Sequence, residues 1–145
     1  EYLDSMKSQF AIVQAVLGGI GAVSLLVAAI GIANTMMMSI YERTKEIGVM
    51  KVLGCDMRNI QAMFLMEAAD IGLVGGIVGL GISYLISMII NKVVAASGNM
   101  SSLSYIPLWL AGASVIFAVV IGMAAGYFPS KRAMKLSPLA AIRNE

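Results

Sequence analysis

SQFAIVQAVLGGIGAVSLLVAAIGIANTMMMSIY, residues 8–41, is a run of 34 consecutive positions without a formal charge. A helix needs roughly 20 mostly apolar residues to cross a hydrocarbon core about 30 Å thick, so this stretch alone places the chain in a bilayer. Two more charge-free runs follow, residues 71–91 and 93–130. The expected fold is an all-α membrane protein, a single domain over residues 1–145. Its three transmembrane helices fall at 11–38, 71–90 and 107–128, with an amphipathic cytoplasmic helix between the first and second. A cytoplasmic tail occupies residues 129–145.

Composition narrows the function. Charged residues make up 12% of the chain and hydrophobic ones 59%, where a soluble domain carries about 25% charged. The net charge of +2 is too small to draw nucleic acid. There is no histidine, the commonest general base and nitrogen ligand for metals. The one cysteine, Cys55, allows no intrachain disulfide. No catalytic, cofactor-binding or metal-binding residue is therefore expected. Met36, Met37 and Met38 offer thioethers for Cu(I), but consecutive residues on a helix point in different directions and cannot converge on one ion. The glycines lack the spacing and the following Lys-Ser/Thr of a phosphate loop.

The chain opens on Glu1, and EYLDSMKSQF is more acidic than basic. A signal peptide needs a basic leader and a shorter apolar core. The expectation is a fragment of a longer protein, or a processed product. Residues 11–38 would extend about 42 Å as a helix, longer than the hydrocarbon requires, so the first turns should project from the bilayer. Pro107 suits a first helical turn. Tyr105 and Trp109 at one end of the third crossing, with Tyr127 and Phe128 at the other, are placed as interfacial anchors. The connection 91–105 is short and rich in Ser, Asn and Gly.

Basic residues orient the chain. Arg43, Lys45, Lys51 and Arg58 lie in the middle segment, and Lys131, Arg132, Lys135 and Arg143 in the tail. Only Lys7 and Lys92 lie on the opposite side. This bias puts the middle segment and the C-terminus in the cytoplasm and the N-terminus outside.

Segment 41–58, YERTKEIGVMKVLGCDMR, should form one short helix from 42 to 53 and begin another. Glu42 favours the N-terminal end of the first. Ile47, Met50 and Leu53 make an apolar stripe, Gly54 stops the helix, and Asp56 caps the next one. That second helix carries Ile60, Met63 and Phe64 on one side, Arg58 and Gln61 on the other, and runs into the second crossing. A helix lying on lipid would be more uniformly basic. The mixed charge of Glu42, Glu46 and Asp56 beside Arg43, Lys45 and Lys51 favours a groove on a protein partner.

Small residues recur every four positions. Gly75, Gly79, Ser83 and Ser87 form one row, and Ser114, Ala118, Gly122 and Gly126 another. Such rows let backbones approach closely in lipid. They serve packing within one subunit or a subunit interface, and spacing does not separate the two. Glu67 and Asp70 lie where the second crossing meets the cytoplasm, which favours a structural or interface role over a proton relay. Gln14 and Asn34 default to helix–helix hydrogen bonding.

GIANTMMMSIYERTKEIGVMKVLG, residues 31–54, resembles the MacB/FtsX-type ABC transporter permeases. The carrying positions are Asn34, Thr35 and Met36, then Glu42, Arg43, Glu46, Ile47 and Gly48, then Leu53 and Gly54. The resemblance continues through FLMEA, residues 64–68, and ends in a tail motif at Pro129, Ala133, Pro138, Ala141 and Arg143. Met50 departs from it, standing where many members carry a basic residue. The family's first crossing and its large extracytoplasmic domain are not in this sequence.

The resemblance implies a permease subunit in a bacterial inner or plasma membrane. It implies a cytoplasmic ABC ATPase holding ATP and magnesium, a second permease subunit (identical or different), an extracytoplasmic adaptor and membrane lipid as partners. Glu42, Arg43, Lys45, Glu46, Ile47, Gly48, Met50, Lys51, Leu53 and Gly54 would contact the ATPase. Gly75, Gly79, Ala118, Gly122 and Gly126 would pack helices. Motion driven by ATP would pass to the outer domain and export or extract a peptide, drug or lipoprotein. The alternatives are a secondary transporter or channel fragment, which needs polar groups at mid-membrane, and a signalling scaffold that does not transport.

Overall fold

The computed structural model describes residues 2–98, 102–135, 137 and 143. Within them lie four helices: α1 (Tyr2–Glu42), α2 (Thr44–Val52), α3 (Met57–Ala96) and α4 (Leu108–Met134). The three long ones are apolar enough to cross a membrane. At 1.5 Å per residue, α1 and α3 each extend about 60 Å and α4 about 40 Å. The crossings expected at 11–38 and 71–90 are thus inner parts of longer helices, and the one expected at 107–128 starts at the α4 N-cap and stops short of its end. Charge marks where a helix leaves lipid, and it does not end the hydrogen-bond ladder.

Two boundaries differ for identifiable reasons. Pro129 does not stop α4, which continues to Met134 with Pro129, Ser130 and Ala133 buried. Proline removes only its own N–H and strains one turn, and neighbouring packing can hold the helix through it. Residues 129–134 therefore belong to the helix, and Pro138 and Ala141 of the tail motif lie outside the described residues. Pro107 sits just before α4, with φ −68° and ψ 149°, and its carbonyl accepts from the N–H groups of Leu110 and Ala111.

α3 and α4 form a close antiparallel pair. A methyl group added to Gly72 would lie 2.5 Å from the Ala118 carbonyl oxygen, and one on Gly122 would lie 2.6 Å from that of Ala68. Gly126 faces the Ala68 side chain, and a methyl on Gly76 would lie 2.9 Å from that of Ala118. The absence of side chains is what brings these backbones together. Trp109 and Phe128 are exposed near opposite ends of α4. Their spacing along the helix, about 28 Å, matches the thickness of a hydrocarbon core.

The buried core lies at the α2 end of the bundle. Met36 and Ile40 of α1, Ile47 of α2, Ile60, Phe64 and Ala68 of α3, and Ala133 of α4 form one cluster. At the opposite end Asn91 organises the α3–α4 connection. Its Oδ1 accepts from the N–H groups of Leu103 and Ser104 at 3.1 and 3.0 Å, and its Nδ2 donates to the Ser104 carbonyl at 2.7 Å. Ser87 Oγ bonds Ser104 Oγ at 2.8 Å beside it.

Candidate functional site: the α2 platform

α2 is held in place by its flanks. A single non-helical residue, Arg43, with φ −97° and ψ 15°, separates it from α1. Thr44 Oγ1 donates back to the carbonyls of Ile40 and Tyr41, so the joint keeps its hydrogen bonds. At the other end Gly54 adopts φ +84°, a left-handed conformation that side chains disfavour. Its N–H donates to the Lys51 carbonyl at 3.2 Å, and the Cys55 N–H donates to that of Met50 at 3.0 Å. This pairing is a Schellman stop. Asp56 then caps α3 by accepting from the Arg58 N–H at 3.3 Å.

One face of α2 is seated in its own chain. Ile47 is completely buried in the core cluster and Gly48 beside it is buried as well. One turn further on, Lys51 Nζ donates to the carbonyls of Ala133 and Met134 at 3.1 and 2.8 Å. These are among the last four carbonyls of α4, which have no partner within the helix. The cation also lies at the negative end of the α4 dipole. Desolvation lowers the Lys51 pKa below the ordinary lysine value.

Beside α2, Glu67 of α3 ties down the end of α1. Its carboxylate pairs with Arg43 at 3.7 Å and accepts from Ser39 Oγ at 3.5 Å. Glu67 is therefore a structural acceptor between helices. The pair is about half exposed, so its contribution is about 0–1 kcal/mol.

The residues assigned from sequence to the partner divide accordingly. Glu42, Lys45, Glu46, Leu53 and Gly54 face outward. Met50 is half-buried against the core. Ile47, Gly48 and Lys51 turn into the chain itself, and Arg43 is engaged by Glu67. The apolar stripe expected over Ile47, Met50 and Leu53 does not lie on one face. Three-residue steps drift about 60° each on a helix of 3.6 residues per turn. By Leu53 the row has turned outward, and Leu53 is 80% exposed.

Sequence reasoning missed Val49 and Val52, which are exposed beside Leu53. Their three-residue spacing next to Leu53 was the available signal. The outward edge thus combines three aliphatic side chains with the charges of Glu42, Lys45 and Glu46.

The packing residues divide too. Gly122, Gly126 and Ala118 lie in the α3–α4 contact, and their partners on α3 are Ala68, Gly72 and Gly76. Gly75 and Gly79 are not part of it. A side chain at either would meet nothing within 4 Å, because that row looks away from α4. Asn34 and Gln14 are exposed. Among the described residues, no three His, Cys, Asp or Glu side chains gather as a metal site.

A family model, the FtsX-like permease C-terminal domain, matches residues 18–138. An uncharacterized ABC transporter permease of Methanocaldococcus jannaschii is 41% identical over 127 residues, 88% of this chain and 32% of the relative. The ABC transporter permease YtrF of Bacillus subtilis is 40% identical over 136 residues, 87% of this chain and 31% of the relative. The macrolide export ATP-binding/permease protein MacB of Neisseria gonorrhoeae is 38% identical over 133 residues, 89% of this chain and 19% of the relative. The chain spans about a third of the first two relatives' length and about a fifth of the third's.

Proposed function

The chain belongs to the FtsX-like permease family of membrane proteins, and on that premise we propose that α2 is the contact through which a cytoplasmic ABC ATPase drives it. The ATPase, on a separate chain or fused to the permease, binds ATP with magnesium and performs the hydrolysis. In this reading the chain itself hydrolyses nothing. The lysine and arginine bias supports this reading, with the α2 end on the cytoplasmic side and the start of α1 outside. A second permease subunit completes the membrane unit, an extracytoplasmic domain receives the motion, and an extracytoplasmic adaptor is a further partner. The cargo, a peptide, drug or lipoprotein, is selected outside the segment described here.

The observation that carries this reading is the two-sided character of α2. Ile47 fixes one side in the chain's own core, while Val49, Val52 and Leu53 stand exposed between charged residues on the other. A helix seated this way can transmit a push without being displaced from its own subunit. Exposed apolar side chains ringed by mixed charge suit a groove on a partner protein.

The test is a Val49→Asp, Leu53→Asp double variant in the full-length protein with its ATPase. Both positions are exposed, so the permease should fold and insert normally. ATPase binding and ATP-driven transport should fall by at least tenfold. Wild-type coupling in that variant would refute the assignment.

A further inference from the structure

α2 has two attachments. Toward α1 it has one non-helical residue, Arg43, the Thr44 hydrogen bonds to the Ile40 and Tyr41 carbonyls, and Ile47 packed in one cluster with Met36 and Ile40. Toward α4 it has Ile47 packed in the same cluster as Ala133, both without solvent exposure. Beside that contact Lys51 reaches across to the two terminal carbonyls. Ile47 and Lys51 are four residues apart and share one face of α2. The apolar contact sets the distance between the helices, and the two hydrogen bonds fix their rotation. Charge-assisted bonds of this kind are about twice as strong as neutral ones.

We propose that Lys51 is a positioning residue that pins α2 to the C-terminal end of α4, so that the two move as one rigid body. A displacement of α2 then enters the membrane through α4 and its glycine-packed partner α3. The role of this pin in transport rests on the ATPase contact proposed above. The geometry of the pin does not. Lysine suits the task because its flexible stem delivers several donors to one point. Methionine would fill the same space and bond neither carbonyl.

Spin labels at Lys45→Cys and Lys131→Cys, both exposed positions, would read the α2–α4 separation by pulsed electron resonance. The sample is the full-length permease with its ATPase, in lipid nanodiscs and otherwise free of cysteine. The wild-type distance distribution should be narrow and the same without nucleotide as with trapped nucleotide. In Lys51→Met it should become at least twice as broad, or should shift with nucleotide. Lys51→Arg, which restores donors, should return it toward wild type. A wild-type distance that moves with nucleotide would overturn the proposal, and so would a Lys51→Met distribution indistinguishable from wild type. Cross-linking of Leu53→Cys to the ATPase, run in parallel, reports docking separately. Its loss would remove the ATPase contact while leaving the α2–α4 distance readable.

Discussion

Leu17 and Ile47 are both aliphatic residues of one apolar chain, yet Leu17 exposes 63% of its surface and Ile47 none. The contrast extends to whole regions. Residues 2–24 of α1 are exposed at every position. At the α2 end, pieces of all four helices close around Met36, Ile47, Ile60 and Phe64. In water such exposure would be untenable, but in lipid it carries no hydrophobic penalty. What separates the regions is what lies alongside each residue. The first half of α1 offers a long bare surface, and the α2 end offers four helix segments packed at once. The largest buried side chains gather at the α2 end, and the first half of α1 is free to meet lipid or other chains.

That contrast can be broken most forcefully at Phe64. Phe64→Ala should destabilise the protein by about 3–5 kcal/mol, read as a lowered unfolding midpoint in detergent. Leu17→Ala should move it by less than about 0.5 kcal/mol. Equal losses would mean that the first half of α1 is as well packed as the core.

The glycines sharpen the same comparison. Gly72→Val forces carbon against the Ala118 carbonyl and should cost about 1–3 kcal/mol through overpacking. Gly79→Ala meets open space within this chain and should leave the monomer's stability within about 0.5 kcal/mol. Thermal unfolding of the two variants in one detergent checks both. A smaller effect belongs to Gly54. At φ +84°, Gly54→Ala should cost about 1 kcal/mol, visible as faster proteolysis of the α2–α3 turn. Smallest is Glu67→Gln, which removes the half-exposed pair with Arg43. Its loss of about 0–1 kcal/mol should shrink further at high salt.

The sequence disclosed some of these features and hid others for physical reasons. Charge-free runs revealed three crossings because charge in hydrocarbon is costly. They could not reveal where the helices end, since α3 carries Arg58, Glu67 and Asp70 without breaking. The charge-free run gave no sign that α4 passes through Pro129 into the expected tail, where Pro129, Ser130 and Ala133 are buried. Lys51 was assigned to the ATPase on the family resemblance alone. Within the chain its Nζ bonds the carbonyls of Ala133 and Met134, a contact that spacing could not show. The α2 segment itself was readable from Gly54 and the mixed charge. Its inward face was not, because Ile47, Met50 and Leu53 are equally apolar and only packing tells them apart. The same holds for the glycine rows: spacing found them, but it could not say that Gly72 and Gly76 face α4 while Gly75 and Gly79 do not.

The central claim is that one face of α2 is occupied by its own chain and the other is reserved for the ATPase. Single cysteines at Ile47, Val49, Val52 and Leu53, in a Cys55→Ser background, can be alkylated in the full-length permease with and without its ATPase. Val49, Val52 and Leu53 should react readily alone and lose at least tenfold in rate when the ATPase is bound, while Ile47 stays unreactive in both states. Rates at Val49, Val52 and Leu53 that the bound ATPase leaves unchanged would contradict the account.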